Sequence, residues 1–142
     1  MGLEVALCLL SEGWLVYIVD LNAAAGASVV EKHPGLNFIQ VNVTSWSELS
    51  AAFDEAYKAQ GRLDFVFANA GIAQMDDFFA REETLPPVEP PQHSIDINLK
   101  AVINTCHLAR HYFQASEKLP DTDFVLIATA SIGSFVSQGY QT

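Results

Sequence analysis

Four apolar runs in this chain finish on polar or very small residues. WLVYIVD (14–20) ends at Asp20, LNFIQVNV (36–43) at Asn42-Val43, LDFVFANAG (63–71) at Asn69-Ala70-Gly71, and DFVLIATAS (123–131) at Ser131. An acid about twenty residues past a glycine turn can accept hydrogen bonds from both hydroxyls of a ribose. Asp20 stands at that distance from Gly2. Its charge repels a 2′-phosphate, and the following Leu21 and Asn22 supply no cation, so the pattern favours NAD over NADP. Taken alone, Asp20 also reads as a plain turn acid. Asn69-Ala70-Gly71 would let a ligand approach the backbone closely, although asparagine and glycine punctuate turns of every kind. His107 and His111 are four apart on a helical pattern, but Leu108 holds the place of the acid in a His-Glu-x-x-His zinc site, so no metal is expected.

The elements that must position these residues follow from hydrophobic period and punctuation. Residues 3–12 carry Leu3, Val5, Ala6, Leu9 and Leu10 at helical spacing and stop at Gly13. Ala23 to Lys32 reads as a second helix, broken by His33-Pro34-Gly35. Residues 46–60 read as a third, capped by Ser45 or Thr44, with Leu49, Ala52, Phe53, Ala56 and Tyr57 on one face and a stop at Gly61. The segment 92–118 strings Ile95, Leu99, Val102, Cys106, Ala109 and Phe113 along one stripe. Residues 74–91 are polar and proline-bearing, a surface loop in preference to a polyproline ligand. Helix and strand alternate, and the strands are continuous apolar runs, as buried parallel strands covered by helices are.

Composition narrows the function classes. With 142 residues and 50% apolar residues, the chain has the material for one domain with a core. A formal charge of −10 with unclustered basic residues speaks against nucleic-acid and anionic-membrane partners. Cys8 and Cys106 read as buried thiols, not a disulfide or a metal pair. The opening MGLEVALCLLSEG lacks a basic region and is interrupted by Glu4, Ser11 and Glu12, so neither a signal peptide nor a membrane span is expected. Ala6 breaks the myristoylation pattern, and Asn42-Val43-Thr44 reads as a chance sequon. A soluble, cytoplasmic protein is the expectation.

Together these residues resemble the short-chain dehydrogenase/reductase family along essentially the whole chain. Gly2 resembles the last glycine of the family's Thr-Gly-x-x-x-Gly-x-Gly turn, Asp20 its NAD-selecting acid, and Asn42-Val43 its Asp-Val pair beside the adenine, with Asn replacing Asp. Asn69-Ala70-Gly71 matches the Asn-Ala-Gly motif. DINLKA (96–101) puts Asn98 on the active-site asparagine, and ATASIG (128–133) puts Ser131 on the catalytic serine. The cofactor-binding set is then Gly2, Asp20, Leu21, Asn42, Val43, Asn69, Ala70 and Gly71, and the catalytic set Ser131 and Asn98.

The resemblance implies a Rossmann-like, doubly wound parallel α/β sheet with helices on both faces, formed by residues 1–142 as a single partial NAD(P)-binding domain. It also implies hydride transfer between an alcohol and a ketone. In the family a tyrosine acts as acid/base, and a lysine four residues on lowers its pKa. The sequence departs from that pattern: the first strand and the C-terminal strands are not found, nor is a Tyr-x-x-x-Lys. Tyr140 is too near Ser131 to be assigned. The expectation is a fragment that is inactive alone, whose second and fourth family strands lose their shared neighbour and either close together or stay apart. A non-catalytic dinucleotide sensor is the alternative. A homo-oligomer paired through helix 92–118 is a further expectation for the complete protein.

Overall fold

In the computed structural model, residues 1–73, 85–120 and 122–131 are described; Tyr140 and residues 74–84, part of the segment expected as a loop, lie outside them. The order is α1 (Gly2–Ser11), β1 (Val16–Asp20), α2 (Ala23–Lys32), β2 (Leu36–Gln40), α3 (Trp46–Gln60), β3 (Phe65–Ala68), α4 (His93–Ile95), a π-helical turn (Asp96–Lys100), α5 (Ala101–Ala115) and β4 (Val125–Ala128). Asn22 caps α2 by accepting from the Ala25 N–H at 3.0 Å. For α3 the cap is Ser45, not Thr44, and the helix stops at Gly61 in the left-handed conformation (φ 68°). The helical segment expected over 92–118 contains its whole stripe but ends at Ala115, with Ser116 extended at its C-cap.

The strands are shorter than the apolar runs that contain them, because a ladder extends only where both partners are present. β1 pairs with β2 in parallel from Val16↔Leu36 to Asp20↔Gln40. β3 pairs with β4 in parallel from Phe65↔Val125 to Ala68↔Ala128. No ladder joins the pairs among the described residues, so they stay apart as two two-stranded sheets. Each of β1 and β3 therefore has one side without a described strand partner.

The alternation of side chains along β2 divides the core. Leu36 belongs to a cluster with Ala6 and Val16 that is packed by Leu9, Leu10, Val29 and Val30 of α1 and α2. Phe38, on the same face, lies across Gly26 of α2, where a Cβ would come within 2.2 Å of the ring. Ile39 points the other way, toward a cluster of Val41, Leu49, Ala52 and Leu108 formed with α3 and α5. Helices thus cover both faces of the first sheet. The expectation of full burial fails at β4: Val125, Leu126 and Ile127 are 39%, 38% and 45% exposed. Among the described elements, β4 packs mainly on β3 and α5, which leaves the remaining surface of the strand open.

Candidate dinucleotide cleft

The two sheets face one another across a cleft of 1310 Å³. Residues of β1 and β3 line it, from Val16 to Asp20 and from Phe65 to Ala68. Of the residues singled out in the sequence, Gly2, Asp20, Leu21, Asn42, Val43, Asn69, Ala70 and Gly71 line this one space, whereas Asn98 and Ser131 are not part of its lining.

Asp20 ends β1 in an exposed position. Its Oδ1 accepts from the Asn22 N–H at 2.8 Å, which fixes the carboxylate and leaves Oδ2 without a partner among the described residues. The Leu21 carbonyl is held by Gln40 Nε2 at 3.2 Å. Asn42 follows β2; its N–H donates to Glu48 Oε2 at 2.8 Å. Its side-chain Oδ1 accepts twice from Thr44, from N at 3.1 Å and from Oγ1 at 2.8 Å. Val43 packs against the Val41–Leu49 cluster.

Across the cleft, Asn69 continues from β3. Its Oδ1 accepts from Thr129 Oγ1 at 3.0 Å, and the Ala68 carbonyl accepts from the Thr129 N–H at 3.0 Å. Gly2, the first residue of α1, sits against the same amide: a Cβ there would come within 2.8 Å of Asn69 Nδ2. The first turn of α1 has no side-chain cap, so its leading N–H groups lack intrahelical acceptors.

Asn98 lies in the π-helical turn and grips one residue by both backbone groups. Its Oδ1 accepts from the Ile72 N–H at 2.9 Å and its Nδ2 donates to the Ile72 carbonyl at 2.8 Å. It adjoins the cleft through Ile72 and Gly71, both of which line it. Ser131 is exposed, three residues past β4.

The short chain dehydrogenase family model matches residues 1–137. The chain belongs to the short-chain dehydrogenase family. It is 40% identical to the short-chain dehydrogenase/reductase prx7 of Penicillium rubens, a match covering 99% of this chain and 52% of that protein. It is 34% identical to the short-chain dehydrogenase/reductase ascJ of Acremonium egyptiacum, over 99% of this chain and 48% of that protein. The crystal structure of gox2181 shares the fold with a TM-score of 0.76 at 22% identity, covering 97% of this chain and 52% of that one. The chain spans about half the length of the curated relatives it matches. The short-chain dehydrogenases bind nicotinamide dinucleotides and act on small molecules.

Within this chain, three residues of the site were not singled out from sequence. Thr129 orients the Asn69 amide, yet in IATAS it reads as an ordinary strand threonine. Ile72 is selected by its backbone, which no residue type announces. Glu48 was legible as the last residue of a Ser-x-x-Glu capping box, but its carboxylate goes to Asn42 instead of the Ser45 N–H. The electrostatics are acidic: Glu12, Asp20, Asp64 and Asp123 line the cleft, and Arg62 is the only guanidinium or ammonium among its described lining residues. Arg62 Nε donates to Asp64 Oδ2 at 2.8 Å, and this hydrogen bond holds the guanidinium pKa above its usual value. The two histidines pack on rings, His107 beside Trp46 and His111 edge-on to Tyr112. Burial pushes the Tyr112 phenol upward in pKa. No cluster of three metal-ligating side chains occurs among the described residues, and none of their helices is long and apolar enough to cross a membrane.

Proposed function

We propose that residues 1–142 form a single partial Rossmann domain that binds NAD in preference to NADP, and that the protein to which it belongs transfers hydride between an alcohol and a ketone. The observation that carries this reading is the Asp20 carboxylate, fixed through Oδ1 and open at Oδ2, on the wall of a cleft whose one described guanidinium is already paired with Asp64. An oxygen so placed accepts from ribose hydroxyls, and the described lining residues offer no free cation to a 2′-phosphate. The residues fit the rest of the dinucleotide. Gly2 keeps the α1 entrance free of side chain, and the uncapped N–H groups of that helix suit a pyrophosphate.

A bound nicotinamide supplies or accepts the hydride. Ser131 serves as hydrogen-bond donor to the reacting oxygen, and Asn98 holds the Gly71-Ile72 backbone in place through its two bonds to Ile72. The substrate is a small alcohol or ketone. A cytoplasmic setting belongs to the same reading. So does pairing of two copies through helix 92–118, where Ile95 and Leu99 of the stripe are 46% and 55% exposed.

Calorimetric titration of the chain with NAD⁺ and NADP⁺ tests the cofactor. NAD⁺ should bind more tightly, and Asp20→Ala should weaken NAD⁺ by roughly tenfold, the loss of hydrogen bonds to a charged acceptor. Equal or tighter binding of NADP⁺ would refute the assignment. The alternative to this reading is a dinucleotide sensor without turnover. NAD⁺ binding by the complete protein without oxidation of any alcohol would select it.

A further inference from the structure

Residues 85–92 read Leu-Pro-Pro-Val-Glu-Pro-Pro-Gln. All eight are exposed, none belongs to a helix or strand, and none lines the dinucleotide cleft. Leu85 is 95% and Val88 68% exposed, so these apolar side chains do not serve the core. Singly exposed apolar residues are ordinary; the prolines around these two give them a definite arrangement. A proline locks its own φ at about −65° and pushes the residue before it out of the helical region into extended backbone. With prolines at 86, 87, 90 and 91, one rule or both restrict every residue from Leu85 to Pro91 except Val88.

Such a run favours the polyproline II helix, an extended and fully solvated backbone with three residues per turn. At that period Pro87 and Pro90 share one edge, Val88 and Pro91 the next, and Glu89 and Gln92 the third. Gln92 Nε2 donates to Glu89 Oε1 at 3.2 Å, which brings the two polar side chains together. Two apolar edges and one polar edge are thus open to solvent. Pro87-Val88-Glu89-Pro90 also has the Pro-x-x-Pro spacing that docks in grooves lined by aromatic side chains. Glu89 is the one charged residue from 85 to 92, on a chain of formal charge −10, so a groove with a cationic rim is the complementary one.

We propose that residues 86–91 are a docking ligand for a polyproline-binding protein domain. The aromatic groove of that domain takes the Pro87/Pro90 and Val88/Pro91 edges, and its rim sets lysine or arginine against Glu89. Because the prolines restrict the backbone before contact, little conformational entropy is lost on binding. This surface is separate from the cleft, and the proposal stands or falls independently of the dinucleotide reading.

The test titrates the 142-residue chain into purified SH3, WW and EVH1 domains chosen for lysine or arginine at the groove rim, followed by calorimetry. At least one should bind. The double variant Pro87→Ala/Pro90→Ala should weaken that complex by roughly tenfold or more. Glu89→Lys should weaken it by roughly threefold or more, the scale of one exposed ion pair, and an unchanged affinity overturns the cationic rim. Absence of binding by every domain overturns the proposal, as does a complex indifferent to the loss of both prolines. Should the double variant not fold, a synthetic peptide of residues 85–92 decides. It should displace the unaltered chain from the domain, and failure to compete overturns the proposal.

Discussion

Ser116 shows how much one small side chain carries in this molecule. It is buried at the end of α5, donates to the Tyr112 carbonyl at 2.7 Å and accepts from the Leu63 N–H at 2.8 Å. The helix end and the approach to β3 are thereby pinned at one oxygen, close to where the Tyr57 hydroxyl donates to the Ala115 carbonyl at 3.1 Å. Replacing it by alanine leaves the half-buried Leu63 N–H without its acceptor. Ser116→Ala should lower unfolding free energy by about 1–3 kcal/mol, seen as a reduced urea midpoint with unchanged slope. A midpoint within error of the parent would mean that water reaches Leu63. The residue scale is also where sequence is least informative. Ser116 and Leu63 are 53 positions apart, Asn69 and Thr129 60, and Asn98 and Ile72 26. Such pairings are fixed by the closed fold, and neither member advertises its partner.

At the scale of elements, local rules worked where the cause was local. The helices centred on 23–32 and 46–60 were legible because cap, apolar period and stop all lie within them. The interruption at Asp96–Lys100 was not, because a continuous apolar stripe gives no sign of a π-helical turn; there the Asn98 side chain binds a distant backbone. Gly26 is a second case. In the interior of α2 glycine costs about 1 kcal/mol relative to alanine, so helix propensity alone predicts that Gly26→Ala stabilises. The Phe38 ring reverses the sign, since a Cβ would sit within 2.2 Å of it. Overpacking of this kind costs about 1–3 kcal/mol. Gly26→Ala should therefore destabilise on balance in chemical denaturation, and the double variant Gly26→Ala/Phe38→Leu should recover part of the loss. A stabilised single variant would show that the ring moves aside freely.

At the scale of the whole molecule, the alternation of helix and strand was readable from the apolar runs, and the tips of three of those runs line one cleft while Ser131, at the tip of the fourth, does not. The arrangement of the strands as two sheets was not readable, because an apolar run states that a strand is buried without naming its neighbour; β4 is as apolar as β1 and yet largely open. The consequence lies in how copies of the chain treat one another. Unsatisfied ribbon edges are templates for intermolecular pairing, while a formal charge of −10 keeps the copies at a distance. The range of that repulsion is set by the solvent, shrinking from roughly 30 Å at 0.01 M ionic strength to about 3 Å at 1 M. Light scattering should accordingly find small particles in dilute buffer and growing ones as sodium chloride is raised, the reverse of an assembly held by ion pairs. A particle size indifferent to salt would mean that the exposed ribbons are shielded in solution.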